Sequence, residues 1–468
     1  MLPLPRIAIG AVQPGVTHRP MLWAMLEALR QQGLQIQTFA SQARFVHHRA
    51  TAAISGAAPR HLDSWLMSPE LCRDLFATGA EDCDLAVVEG EFHPAGQSAA
   101  TTEPVGGRLE TLCQWLDLPR LVVLDASQLG SALPEPPEQI DGVLLDRVDS
   151  GPHQARLAIE IETQWEVPVL ASLGPLPELR KQLQSADLGI QPPAESVHQL
   201  GVHFQRSGEP ERIVEIASRK PMTWCSTPMP SVPTPLSDVT IALAYDEAFN
   251  CYFPDTLDLL ELRGAAILDF SPLHDERLPR ADVVYLGCGH PENHAQALAE
   301  NDCMRLALRE HVLGGGRIYA EGGGVAYLCH QMEDSHGQLQ RMVGLLPAVA
   351  HRHDWTGRED RARHADPSQR APDDQPPRPV AATIDDGCWL GTAGQSLLGY
   401  LDNRWRLELR GACHTCLKEA EHQRDLIQCG RVIGSRIHLD FAAQLHLLQG
   451  FFQPCEATSD DYDPWSIL

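Results

Sequence analysis

Short, continuously apolar runs alternate with helix-patterned segments along most of this chain, and that alternation constrains its fold more than any other feature. Arg6–Gly10, Leu85–Val88, Leu121–Leu124, Gly142–Leu145 and Val167–Leu170 read as buried strands in the first half. Val239–Leu243, Ile267–Phe270, Val283–Leu286 and Ile318–Ala320 read the same way in the second. A further strand near Leu34–Phe39 alternates Leu34, Ile36 and Thr38 with glutamines, and Pro20–Leu29 has helical spacing with proline in the first turn. Strands buried on both faces belong to parallel sheets covered by helices, because parallel neighbours need helix-length crossovers. The fold class is therefore α/β, with two three-layer domains, each a mostly parallel sheet with helices on both faces. Pro228–Pro235 carries a proline at nearly every second position and divides the chain into a domain 1–222, a linker 223–238 and a domain 239–468. Residues 351–379 are rich in Arg, Asp, Pro and His with few apolar side chains, and read as a flexible insertion.

Composition narrows the function. The 468 residues carry a net charge of −25, which disfavours nucleic acid and anionic membrane surfaces as partners. No apolar run approaches the length of a membrane span, and Met1–Arg6 does not read as a signal peptide. Thirteen scattered cysteines suit a reduced, cytoplasmic protein with mostly buried thiols. Lysine occurs only at 181, 220 and 418, so nothing before residue 181 offers an ammonium group.

The segment Tyr319-Ala320-Glu321-Gly322-Gly323-Gly324 follows a short apolar strand and leads into a helical pattern. It resembles the nucleophile turn Tyr-Ala-Glu-Cys-Gly-Gly of the cobyrinic acid a,c-diamide synthase family. Further segments carry the resemblance across nearly the whole chain: Tyr245–Pro254, Phe270–Asp275, Tyr285–Glu292, Asp84–Gly90 and Gly142–Val148. The resemblance implies a P-loop, dethiobiotin-synthetase-like amidoligase domain followed by a class I glutamine-amidotransferase-like domain. It also implies use of ATP and Mg²⁺, with ammonia drawn from glutamine through a cysteine thioester. Gly322 stands where that cysteine belongs and supplies no nucleophile. Ser435–Phe441 resembles the segment with the catalytic histidine, so His438 takes that position and Asp440 that of its orienting carboxylate. Gly287, Cys288 and Gly289 stand in the oxyanion-type turn, where Cys288 is the alternative thiol. Cys329 lies about two helical turns past Gly322, roughly 10 Å along the helix and too far to substitute directly.

The nucleotide site departs as well. In Gly10-Ala11-Val12-Gln13-Pro14-Gly15-Val16-Thr17-His18-Arg19, His18 stands at the P-loop lysine and Arg19 at the metal-binding hydroxyl. Arg44 and His47 replace two aspartates of a second element, while Asp63 and Glu89 keep their register. Gly10, Gly15, His18, Arg19 and Glu89 thus mark a degenerate nucleotide site; His18, Arg19 and Arg44 could form a new anion site, and His47 and His48 a metal site. Cys413-x-x-Cys416, with Cys429 and His422 nearby, is the candidate metal motif, ordinary cysteines being the alternative. The reading is a non-catalytic or altered homologue: a tetrapyrrole-binding or partner subunit in tetrapyrrole or cobalamin-related metabolism. Its expected partners are a tetrapyrrole, an intact homologue or another enzyme subunit, in a homo- or hetero-oligomer such as a dimer. The competing reading is an active ATP-dependent amidotransferase that converts tetrapyrrole a,c-carboxylates to amides.

Overall fold

The computed structural model describes residues 4–42, 48–93, 106–130, 133–184, 186, 189–222, 224, 238–352, 378–417 and 425–453. The chain divides into two compact units, Met1–Met229 and Pro230–Leu468. The proline-rich stretch lies outside the described residues, as do Arg44, His47, His422 and all of the insertion except its two ends.

Seven parallel strands form the sheet of the first unit: β1 (Arg6–Ala11), β2 (Ile36–Ala40), β3 (Arg60–His61), β4 (Leu85–Glu91), β5 (Arg120–Asp125), β6 (Gly142–Asp146) and β7 (Val169–Ser172). Their order is β3-β2-β4-β1-β5-β6-β7, with β1 at the centre. Alternate side chains serve opposite faces. Ile7 and Ile9 of β1 join a core cluster with Met21, Leu22 and Met25 from the helix Arg19–Gln31 and with Leu200 and Phe204 from the helix Ala194–Ser207. On the other face Phe39 packs on Phe76 at a centroid distance of 5.1 Å. Burial of about 25 cal/mol per Å² of apolar surface is what holds such a sandwich of layers together.

The second unit begins with β8 (Val239–Ala244), β9 (Phe249–Cys251), β10 (Ala265–Phe270), β11 (Val283–Leu286), β12 (Cys288–Gly289) and β13 (Arg317–Glu321). It continues with β14 (Cys329–Glu333), β15 (Leu339–Arg341), β16 (Leu346–Arg352), β17 (Arg378–Thr383), β18 (Ser396–Leu401) and β19 (Trp405–Leu409). β20 (His414–Leu417), β21 (Asp425–Cys429), β22 (Val432–Ser435) and β23 (Ile437–His438) complete it. The main sheet runs β10-β8-β11-β13-β22-β21-β20, parallel as far as β22 and antiparallel at its last two strands. Three small sheets, β15-β14-β16-β19, β17-β18-β23 and β12-β9, build up the region after Gly322 and beside β11. Among the described residues, no helix is long and apolar enough to cross a membrane.

Candidate functional site

The first candidate lies at the carboxyl end of β1. Gln13-Pro14-Gly15-Val16 closes on itself through a Val16 N–H bond to the Gln13 carbonyl at 3.2 Å, with φ +78° at Gly15. Proline followed by a left-handed glycine is the signature of a type II turn. Gln13 also clamps the end of β5: its side-chain amide donates to the Asp125 carbonyl at 3.1 Å and its Oε1 accepts from the Asp125 amide at 2.7 Å. Val16 is buried. A loop that cradles phosphate must leave its amides facing the ligand; this one has spent the Val16 amide internally. His18, at the lysine position, is buried and sits 3.0 Å from Glu89 Oε2, so the structure brings these two candidates together. Glu89 is thereby engaged by an imidazole. Gly10 lies against β4, where a Cβ would stand 2.6 Å from the Gly90 carbonyl oxygen. The exposed Thr17 hydroxyl accepts from the Arg19 amide at 3.4 Å. Asp63 Oδ1 accepts from the amides of Trp65 and Leu66 and so caps a local turn.

The second candidate lies at the carboxyl end of β13. The strand stops at Glu321 and a short helix, Gly323–Leu328, starts after one residue. That residue, Gly322, adopts φ +49° and ψ −112°. This is a region costly for any residue with a Cβ, and it is where a strand-to-helix nucleophile turn holds its nucleophile. The turn therefore keeps the strained geometry although the side chain is gone. Its neighbours are fixed by close approach, since a Cβ at Gly324 would stand 2.3 Å from the Leu286 carbonyl oxygen.

The vacated volume is filled. A Cβ on Gly322 would lie 2.8 Å from His438 Cε1, 3.0 Å from Asp402 Oδ2 and 3.2 Å from the Cβ of Cys288. His438 and Cys288 are thus brought to Gly322, as the sequence positions imply. Asp440 is not the carboxylate flanking His438 in the observed geometry. Its Oδ1 accepts from the amides of Ala442 and Ala443, capping the turn after β23. The carboxylates beside the imidazole are Glu321, 3.7 Å from Nδ1, and Asp402, 3.7 Å from Nε2.

Arg404 binds this group together. Its Nη2 donates to Asp402 Oδ2 at 2.8 Å and its Nε to Oδ1 at 3.1 Å, while Nη1 reaches the Gly289 carbonyl at 3.1 Å. His290 Nδ1 lies 3.1 Å from both Arg404 Nη1 and Glu292 Oε1. Asp402, His438, Glu321, Glu292 and His290 are all buried. Burial alone would raise the Asp402 carboxyl, but Arg404 and His438 outweigh it and hold the group well below the usual carboxylate range. Glu292 is likewise held at about 2 against burial, by His290 and Arg404. Burial would lower His438, yet the neighbouring carboxylates of Asp402 and Glu321 raise it to about 9. A histidine held as a cation makes a poor general base at neutral pH.

The two thiols singled out from sequence, Cys288 and Cys329, are both buried. Cys288 is fully buried, donates to the Cys251 carbonyl at 3.2 Å and is pushed up by burial and by the neighbouring Cys251 thiol. Cys329 is fully buried, donates to the Val325 carbonyl and is also raised by burial. The Gly287 amide is taken by the Tyr252 hydroxyl at 3.0 Å, and the Gly289 carbonyl by Arg404. Asp402 and Arg404 are functional-site residues that sequence reading passed over. They sit in the β18–β19 turn, 80 and 82 positions from Gly322, and D-x-R in a turn has no distinctive signal of its own. Cys413 and Cys416 do not converge: the thiol of Cys413 is set against Cys429 and that of Cys416 against Cys388. Among the described residues, no three or more His, Cys, Asp or Glu side chains are grouped to hold a metal ion.

A two-unit α/β chain with a strand-to-helix nucleophile turn at the end of a central strand defines an amidotransferase-type architecture. Residues 240–368 match the CobB/CobQ-like glutamine amidotransferase domain family. The chain is 32% identical over 366 residues to the cobyrinate a,c-diamide synthase of Syntrophotalea carbinolica, covering 73% of this chain and 77% of that one. It is 30% identical over 337 residues to the enzyme of that name from Salmonella typhimurium, covering 69% and 73% respectively. The chain belongs to the cobyrinate a,c-diamide synthase family. Among solved structures, a glutamine amidotransferase aligns with 45% of this chain and 98% of its own at 14% identity and TM-score 0.32. A second, from Thermotoga maritima, aligns with 45% and 81% at 9% identity and TM-score 0.30.

Proposed function

We propose that this protein is a non-catalytic member of its family that retains macrocycle or partner binding in tetrapyrrole or cobalamin-related metabolism. The observation that carries the reading is the refilled nucleophile site. Gly322 offers no attacking atom, and the ion network of Arg404, Asp402 and His438 occupies the space a thiol would need. The same reading extends to the first unit. Phosphoryl chemistry of the P-loop type needs a cation on the β- and γ-phosphates and a hydroxyl on the metal. Here the cation position is an imidazole bound to Glu89, the hydroxyl position is Arg19, and the loop is folded into a closed turn. These residues do not fit ATP–Mg²⁺ held in the family manner.

A tetrapyrrole ligand follows from the family's substrate, carried over from relatives named cobyrinate a,c-diamide synthase. The test is an absorbance titration of cobyrinate with the purified full-length chain, read beside calorimetry. The reading expects a saturable spectral shift at one macrocycle per chain, unchanged by ATP. Absence of binding by both methods would remove macrocycle recognition and leave the partner-subunit role to be tested by co-purification with an intact homologue.

A further inference from the structure

The second unit holds a cavity of about 470 Å³ at the start of β13, the end of the strand opposite Gly322. Arg317, Arg431 and His446 line it together with Trp389, Gln428 and Cys388. Among the described lining residues none is Asp or Glu, in a chain whose net charge is −25. The Arg317 guanidinium stands 5.0 Å from the Trp389 ring centroid and donates to the carbonyls of Gly450 and Phe451, which fixes its position. Such a lining suits a small anion.

Cys388 sits on the wall, half-buried, in a tight turn closed by its own amide on the Gly391 carbonyl at 2.8 Å. The segment is tied to β20 by the Asp385 amide, which donates to the Cys416 carbonyl at 2.8 Å, and the fully buried Cys416 thiol is the main influence on that of Cys388. Cys416 Sγ in turn lies 3.7 Å from His414 Nδ1, and His414 Nε2 lies 3.5 Å from Asp386 Oδ2. Strand geometry produces this line-up: His414 and Cys416 share one face of β20. Cys413, just before β20, is partly buried against the core of the unit, and its thiol is influenced by that of Cys429 instead. The influence of Cys416 lowers the Cys388 thiol to about 7, against burial. Cys388 and burial keep the Cys416 thiol protonated. An attacking thiol titrating near neutral pH with a protonated partner behind it is the arrangement thiol–disulfide exchange requires.

We propose that Cys388 and Cys416 form a redox-active dithiol that reduces an anionic low-molecular-weight disulfide docked in this cavity. The Cys388 thiolate attacks one sulfur of the small disulfide; its S–S bond breaks and one half leaves as a thiolate. His414, oriented by Asp386, takes the Cys416 proton, and the Cys416 thiolate attacks Cys388 Sγ. The second half leaves as a thiolate that collects the proton. The protein dithiol is oxidised by two electrons to a disulfide, and the small disulfide is reduced to two thiols.

The test uses the full-length, reduced protein with a dianionic aryl disulfide, 5,5′-dithiobis(2-nitrobenzoate), and the dicationic cystamine as probes. Arylthiolate release is followed by absorbance and cystamine modification by quenched mass spectrometry. The sites are mapped on peptides after alkylation. The expected result is a fast release of two arylthiolates per chain with a Cys388–Cys416 cross-linked peptide and no retained adduct. Cys416→Ser should release one and retain the adduct on Cys388; Cys388→Ser should abolish the fast phase; Cys413→Ser should leave it intact. Arg431→Gln should slow the anionic probe about fivefold while leaving cystamine unchanged. The proposal is overturned if Cys388 stays unmodified while another thiol carries the fast phase. It is equally overturned if Cys388 is modified in the wild-type chain without ever passing to Cys416. Circular dichroism on each serine variant separates a lost thiol from a lost fold.

Discussion

The two turns that depart from the family pattern differ in how they are built. At the end of β1 the loss is handled by the backbone: a proline–glycine turn closes on itself, Gln13 clamps it to β5, and one His18–Glu89 contact covers the carboxylate. At the end of β13 the backbone keeps its strained nucleophile geometry, and side chains from elsewhere move into the vacancy. Closing the loop on itself withdraws the Val16 amide at little cost. Filling a buried, polar vacancy demands charges that satisfy one another, because an unpaired ion there is far costlier than an exposed one. The second site should therefore be the more brittle of the two.

The largest effect is expected from Arg404→Ala. It leaves Asp402 and Glu292 buried without their cation, and unfolding by denaturant should lose about 3–5 kcal/mol in the transition of the second unit. His18→Ala, read in the first unit, should cost only about 1–2 kcal/mol. Equal losses at the two positions would break the contrast. Gly322→Cys comes next. The left-handed backbone alone costs about 1–3 kcal/mol for a residue with a Cβ, and His438 and Asp402 must also shift. The variant should be less stable and still release no glutamate from glutamine; release would mean that the vacancy is open rather than filled.

The acid–base behaviour sharpens the same point. His438 is raised from 6.5 to about 9 in the fold, so its contribution is fully present below pH 6.5 and is lost as pH rises through 9. Asp402 and Glu292 are depressed, so theirs is present above the normal carboxylate range and is lost on acidification. Stability of the second unit should peak between about pH 5 and 6.5 and decline towards pH 9. His438→Gln should remove that alkaline decline. The smallest effect is expected at Gly15→Ala, about 1 kcal/mol, since φ there is +78° with open space around the Cβ position.

Much of the architecture was legible because buried parallel strands announce themselves as apolar runs. β1, β5, β6, β7, β8, β11 and β13 fall within a residue or two of the stretches read from sequence, and β4 runs three residues past its stretch. The small antiparallel sheets after Gly322 were not legible. Their strands are short and many are half-exposed, such as Leu339–Arg341, so the apolar signal fades. β10 was read as a strand, and its place at the sheet edge, with Leu268 43% exposed, is a feature that one strand's pattern cannot carry. At the site, Gly322, His438 and Cys288 were found because a resemblance placed them. Asp402 and Arg404 were missed because only the folded chain brings the β18–β19 turn to Gly322. Pro14-Gly15 carried its turn signal openly, and its meaning emerged only with the Val16 bond.

The most direct test of the central claim bypasses the missing thiol. The protein is incubated with cobyrinate, ATP, Mg²⁺ and free ammonia, with an active family member alongside, and the macrocycle is examined by mass spectrometry for carboxylate-to-amide conversion. An unchanged macrocycle beside a converted control is the predicted result. Amide product would contradict the account, since it would show that the closed loop at β1 still activates carboxylates and that only glutamine use was lost.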